Sequence, residues 1–380
     1  MTPVDSRFPI HGSRPRTAVV HDWLNGMRGG EKVLEAILPL VPEPTIFTLF
    51  HVPGSVSAAI ERHPIRASWL NRLPFSRRGY RNYLPLFASA VESFDLAGFD
   101  LVVSSSHCVA KGAVAPPGVP HLCYCHTPVR YAYEQFDLYF PKGRTRFRAL
   151  KSAAVARLRD WDLRTADRPG VYLANSSAVA DRIRRRYGRE AAVCHPPVDV
   201  SFFEPDPRSG TSRGDFLLCV GALVPYKRYE LAIEAARRLS RRLVLVGAGP
   251  EEESLRALAS GAPVEFVSSI GPEALRRLYR ECGFFLQPGE EDFGISSVEA
   301  LSCGAPVVAL GRGGARDVVR DGENGVLFDF EGGDAASVAE AVERAAGIEF
   351  DYTALRASAW PFRPDRFADE FRGALRELLR

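Results

Sequence analysis

Short runs of Val, Leu and Ile alternate along the chain with longer stretches whose apolar residues recur at helical spacing. That is the pattern of βαβ units carrying parallel sheets. In the first half the apolar runs are TAVVHDW, TIFTLF, LVVSSS, HLCYCH and VYLANS. In the second they are FLLCVG, RLVLVGAG, VEFVSS, FFLQPG, PVVALG and NGVLFD. Each is predicted to be a strand. Helical periodicity falls between them, in GGEKVLEAILPLV, YELAIEAARRLS, EEESLRALA and PEALRRLYREC. The two sets are separated by HPPVDVSFFEPDPRSGTSRGD, rich in Pro, Gly, Ser and charge and without periodicity, which reads as a linker. The pattern predicts an α/β chain of two doubly wound, Rossmann-like domains, 1–198 and 216–380, joined through 199–215. The carboxyl ends of both sheets are expected to face a shared cleft, where such folds bind ligands. The last helix, DRFADEFRGALRELLR, carries an apolar stripe and is expected to dock on one of the domains, with a return to the first as one option.

Composition agrees with two domains. At 380 residues, 46% hydrophobic and 25% charged, the chain is too long for one ordinary core. It lacks an uncharged apolar run of about 18 residues, and MTPVDSRFPIHGSRPRT is polar and Pro-broken where a signal peptide would be apolar, so a cytoplasmic protein is expected. Seven cysteines, an odd number scattered through apolar segments, imply no disulfide framework. The net charge of +3 hides an asymmetry: residues 1–200 have 27 Lys and Arg against 17 Asp and Glu. Basic residues interleaved with aromatic and aliphatic ones in RHPIRASWLNRLPFSRRGYRNY and PKGRTRFRALKSAAVARLRDWDLR suit contact with an anionic membrane or acceptor, or are solvated helix faces. Nucleic acid is not an expected partner, because no motif for it accompanies the charge.

Common nucleotide fingerprints fail. LVLVGAGPEE has Glu252 where the third glycine of a dinucleotide site would stand, and HDWLNGMRGGEKVLEAI lacks the P-loop lysine pattern. Gly29 and Gly30 remain as a tight turn or as a place where backbone meets a diphosphate at a helix N-terminus. In HLCYCH, His121, Cys123 and Cys125 share one strand face but find no fourth ligand at metal spacing, so no metal is expected. His126 ends that strand, before a proline, and is the better candidate for chemistry. Lys227 and Arg228 occupy the loop of GALVPYKRYELAIEA, where two cations suit a diphosphate.

The most informative stretch is GEEDFGISSVEALSCGAPVV. Glu291 precedes a short helix, and Glu299 lies three residues after Ser296, a spacing that predicts a capping box. Two carboxylates with no cation between them suit a polyhydroxylated ligand, since each accepts two hydroxyl hydrogen bonds. Free N–H groups around Gly294 suit phosphate oxygens. A sugar carried on a nucleoside diphosphate has both needs.

The run E-x-F-G-x-x-x-x-E from Glu291 to Glu299 resembles the E-x7-E signature of retaining glycosyltransferases of family 4, which have the GT-B fold. The likeness extends over nearly the whole chain through GGEKVLEA, SSSHCVAKG, CYCHTPVRYAYE, HPPVD, LVPYKR, GAGP, CGAPVVAL and DGENGVLF, in the family's order. HDWL, CYCHTPVRY and LVPYKR are most similar to bacterial enzymes of O-antigen or exopolysaccharide assembly, often mannosyltransferases using GDP-mannose. The resemblance implies that Glu299 holds the ribose and Glu291 the donor sugar. Phe293, Gly294 and Ile295 would border the sugar and phosphates, and Lys227 would neutralise the leaving diphosphate. His126 would sit near the reacting carbon, with Gly29 and Gly30 on the diphosphate and acceptor side. It implies no cofactor beyond the nucleotide-sugar substrate, and transfer to a glycan or lipid-linked acceptor. Two positions depart from the family: Ala222 stands where an arginine is common, leaving Arg228 as its substitute, and Asp317 stands where a glutamate is usual. A UDP-sugar-dependent glycosyltransferase, an epimerase or hydrolase acting on sugar nucleotides, and a non-catalytic binding subunit are the rival expectations.

Overall fold

In the computed structural model the described residues are 15–133, 136, 148–205, 213–329 and 335–380. The chain forms two compact units, Met1–Pro197 with Phe367–Arg380, and Val198–Arg366.

The first unit is built on seven parallel strands: β1 (Thr17–Leu24), β2 (Pro44–His51), β3 (Ile65–Ala67), β4 (Leu101–Ser106), β5 (His121–Cys125), β6 (Val171–Ala174) and β7 (Ala192–Val193). Their order is β3-β2-β1-β4-β5-β6-β7. Along β1 successive side chains enter opposite layers. Ala18 and Val20 join Phe47, Val102 and Val109 on one face, while Val19 joins Ile46, Val103 and Leu122 on the other. Both faces are buried, which is why these strands read as continuous apolar runs rather than alternating ones. The second layer is completed by the last helix, Pro364–Leu378, whose Phe367, Phe371, Ala374 and Leu375 form the stripe legible in the sequence.

The second unit carries six parallel strands: β8 (Leu217–Val220), β9 (Leu243–Val246), β10 (Val264–Val267), β11 (Phe284–Gln287), β12 (Val307–Leu310) and β13 (Gly325–Phe328). They are ordered β10-β9-β8-β11-β12-β13. Leu218, Val244, Phe285 and Val307 pack on one face, and Leu217, Leu245, Leu286 and Val308 on the other. The predicted α/β class, with two doubly wound parallel sheets, is what the chain forms. All eleven apolar runs named above become strands. The short β3 and β7 went unpredicted: two or three residues at or near a sheet edge show no alternation to read.

Residues 199–215 differ in part from a loose linker. Val200 and Phe203 are buried in the second unit's core, where Ser302 Oγ donates to the Phe203 carbonyl. Three apolar residues of the stretch, Val200, Phe202 and Phe203, supply the reason: they have a core to enter. Residues 206–212 of that stretch, and 141–147 of the second basic segment, lie outside the described residues.

In each sheet the strand order reverses once, between β1 and β4 and between β8 and β11. Loops leaving the carboxyl ends of strands on either side of such a switch point diverge, leaving room for a ligand. The candidate residues lie on or close to these loops.

Candidate functional site

In the second unit the loops after β8 and β11 bring Lys227 onto Glu291, with Nζ 2.6 Å from Oε1. Lys227 is 8% exposed. Burial opposes its charge, but the carboxylate of Glu291 and the neighbouring Tyr229 outweigh it, so the ammonium's pKa is raised. Lys227 is therefore a standing cation rather than a base. It lies in the 3-10 turn Pro225–Lys227, which Arg228 closes in the left-handed region at φ 53°. The Arg228 guanidinium turns to Glu230 in the first turn of helix Tyr229–Leu239.

The Glu291 loop is clamped between its neighbours by close backbone approach. A Cβ on Gly289 would fall 2.1 Å from the Tyr226 carbonyl oxygen, and one on Gly314 2.3 Å from the Phe293 Cα. The Gly314 N–H donates to the Glu291 carbonyl at 2.9 Å. Gly294, at φ 96°, caps helix Ile295–Ser302 in a conformation that L side chains rarely adopt. Phe293 sends its ring into the core against Phe362, centroids 5.4 Å apart, so only its backbone borders the loop. Ile295 is the first helical residue and packs partly on the same core.

Glu299 is 3% exposed, and its Oε2 accepts the Tyr279 hydroxyl at 2.9 Å. The predicted capping box does not form. Gly294 is the N-cap, which puts Ser296 inside the first turn, and Glu299 is committed to the interior. The apparent absence of a cation beside the two carboxylates is likewise corrected, because Lys227 arrives from 64 residues away.

In the first unit Gly30 lies at the start of helix Gly29–Ile37, beneath three imidazoles. A Cβ there would come 3.7 Å from His21 Cε1, 3.9 Å from His126 Nε2 and 4.0 Å from His107 Nδ1. His126 follows β5, and its Nε2 is 2.8 Å from Ser105 Oγ on β4. Burial, then the neighbouring His107 and His21, hold the His126 imidazole well below its usual pKa. Asp22, 1% exposed, fixes the loop after β4. Its two oxygens accept the backbone N–H groups of His107, Cys108, Val109 and Ala110 at 2.6–2.9 Å.

Gly29 and Gly30 thus gather with His126, and Lys227 with Glu291 and the Phe293–Ile295 turn, each set within its own unit. Sequence reasoning assigned no role to His21, Asp22, Ser105, His107 or Tyr279. HDWL and SSSHC were the signals, since a carboxylate and imidazoles at the ends of buried parallel strands reach a switch point. Tyr279 had none, being one apolar position of an amphipathic helix. Ala222 is exposed on the loop before Lys227, and Asp317 lies on the short helix Ala315–Val318. Cys123 and Cys125 belong to a buried cluster with Tyr172 and Ala174.

Two family models match the chain: Glycosyltransferase Family 4 over residues 43–202 and Glycosyl transferases group 1 over residues 205–354. A D-inositol 3-phosphate glycosyltransferase of Acidothermus cellulolyticus is 33% identical over 236 residues, 51% of each chain. A GDP-mannose-dependent alpha-(1-6)-phosphatidylinositol monomannoside mannosyltransferase of Mycolicibacterium smegmatis is 32% identical over 52% of this chain and 61% of its own. The chain thus spans about half the length of the curated relatives it matches. Among solved structures, Anabaena Alr3699/HepE in complex with UDP-glucose superposes with a TM-score of 0.68 at 17% identity, over 95% of this chain and 99% of that one. That identity speaks for the fold alone. The two family models meet within a few residues of the division between the units and together take in every strand of both sheets except β1, and the chain therefore belongs to the glycosyltransferases of group 1 and family 4.

Proposed function

We propose that the protein is a retaining glycosyltransferase that moves a hexosyl group, mannosyl from GDP-mannose, to a hydroxyl of a glycan or lipid-linked acceptor in cell-surface polysaccharide synthesis. The observation that carries the reading is the Lys227–Glu291 pair at the switch point of a parallel sheet, beside the N-terminus of helix Ile295–Ser302. A fixed cation and free helix N–H groups stabilise a departing diphosphate, whose negative charge grows as the bond to the anomeric carbon breaks. Glu291 binds Lys227 through Oε1, leaving Oε2 to accept donor-sugar hydroxyls. Glu299, oriented by Tyr279, takes the ribose hydroxyls. His126 accepts a hydrogen bond from a substrate hydroxyl near the reacting carbon. The acceptor oxygen bonds to the anomeric carbon on the face the diphosphate leaves, and its proton passes to the leaving phosphate. Lys227 and the helix terminus meet the charge in this scheme, so it calls for no metal.

GDP-mannose is favoured by the relative whose name specifies it, and UDP-glucose in the complex of the structural neighbour makes a UDP-sugar the alternative donor. Contact with an anionic membrane is part of the proposal. Trp69 and Phe75 are 41% and 84% exposed within the basic segment that also holds Arg72 and Arg81, and among the described residues no helix is long and apolar enough to cross a bilayer.

A thermal-shift panel of GDP-, UDP-, ADP- and dTDP-sugars tests the donor, since a ligand that binds the folded state raises Tm. GDP-mannose is expected to give the largest shift, and no shift with any of them would remove the donor assignment. Incubation with donor alone separates the reaction classes: consumption without acceptor would favour an epimerase or hydrolase.

A further inference from the structure

Glu31, His21, Ser105 and His126 form a single line of polar contacts through the first unit. Glu31, 2% exposed, accepts the Arg28 backbone N–H on Oε2 at 3.0 Å, and its Oε1 lies 3.8 Å from His21 Nε2. His21 is fully buried, with Nδ1 3.1 Å from Ser105 Oγ. The same oxygen lies 2.8 Å from His126 Nε2.

A serine hydroxyl has one hydrogen, so between two imidazoles it donates to one and accepts from the other. Two arrangements satisfy that rule, and Glu31 selects between them. Despite its burial the carboxyl sits below its usual pKa, and with Oε2 accepting the Arg28 N–H it is a carboxylate near neutral pH. A proton on His21 Nε2 faces that carboxylate; a lone pair there would face it with like polarity in a site of low dielectric. With the proton on Nε2, His21 Nδ1 accepts from Ser105. Ser105 then accepts from the Nε2–H of His126, and Nδ1 of His126 is left bare. The other charged or titratable groups around these rings are Asp22, Arg28, His107 and Tyr124, whose ring lies 5.1 Å from that of His126 and whose hydroxyl donates to the Cys194 carbonyl.

We propose that Glu31, His21 and Ser105 are positioning residues that fix the tautomer of His126, keeping its Nδ1 unprotonated as an acceptor for a substrate hydroxyl. The proposal rests on the reading that His126 meets substrate, and it adds why this histidine accepts rather than donates. A doubly protonated His21 would reverse both hydrogens of the chain and put the proton of His126 on Nδ1.

The test is a long-range 1H–15N spectrum of the full chain labelled with 15N-histidine near neutral pH, with the His126 signals assigned by their loss in H126N. Wild type is expected to show Nε2 protonated and Nδ1 bare. S105A removes the acceptor and E31Q the charge, and each is expected to move the tautomer ratio of His126 toward Nδ1–H by about fivefold or more. Nδ1–H on His126 in wild type overturns the proposal, as does an unchanged ratio in folded E31Q and S105A. Should S105A not fold, E31Q and the wild-type tautomer decide. In kinetics both variants are expected to lower kcat by about tenfold, with donor KM within about twofold of wild type. A shifted tautomer with unchanged kcat would leave the relay standing and remove His126 from the reaction.

Discussion

The two switch points of this protein solve different electrostatic problems. The second unit sets a permanent charge pair, Lys227 and Glu291, on loops held backbone to backbone through Gly289 and Gly314. The first sets imidazoles and a hydroxyl, His21, Ser105, His107 and His126, around Gly30. The charge pair is built where backbones approach too closely for a Cβ at Gly289 or Gly314. Groups that share hydrogens sit where burial holds the His107 and His126 imidazoles below their usual pKa. In the proposed mechanism one fold topology therefore carries an electrostatic clamp in one unit and a hydrogen-bond relay in the other.

Substitution of Lys227 should break the contrast most severely. K227A is expected to lower kcat by about 10²–10³-fold, roughly 3–4 kcal/mol, while donor affinity falls much less. Steady-state kinetics checks this, and unchanged turnover would remove Lys227 from the clamp. G314A drives a Cβ into the Phe293 backbone and should destabilise the second unit by about 3 kcal/mol in a urea titration. If its midpoint does not move, the loops are not locked as described. E299A removes an acceptor held by Tyr279 and is expected to weaken nucleotide binding about ten- to hundredfold, about 1.4–2.8 kcal/mol by calorimetry. Full affinity in that variant would leave Glu299 only its place in the core.

The first unit should respond to pH instead. His126 lies well below its usual 6.5, and burial, then Lys111 and Arg168, push His121 down to about 3. Below about pH 6.5 the unfolded chain takes up protons that the folded one refuses, so stability falls as pH falls, by up to about 1.4 kcal/mol per pH unit for each histidine. Denaturation curves between pH 7 and 5 measure the slope, and H126N should flatten it. The smallest expected change is the stability of G30A. Its Cβ meets the three imidazoles at ordinary contact distances, so Tm should correspond to wild type within about 1 kcal/mol while activity drops. Full activity in G30A would show that no substrate approaches that backbone.

Much of this architecture was legible before folding was considered. Periodicity marked eleven strands, since buried parallel strands must be apolar on both faces. Glycines and a proline marked the loops around Glu291. The carboxylates themselves were visible, but their partners were not. The capping box suggested by Ser296 and Glu299 failed because Gly294 took the cap and Tyr279, from another helix, drew Glu299 inward. Arg228 was visible too, but not its pairing with Glu230 in the first turn of the helix that follows it.

The sequence by itself determined the elements, the doubly wound class, the family and which titratable side chains stand at strand ends, because each of these is written in local pattern and spacing. Only the tertiary structure decided that Lys227 closes on Glu291 and that Ser105 joins His21 to His126. Those pairings join residues 64, 84 and 21 positions apart in the chain. Their geometry follows from strand order and from backbones packed to within a missing Cβ of each other, and neither leaves a local periodicity to read.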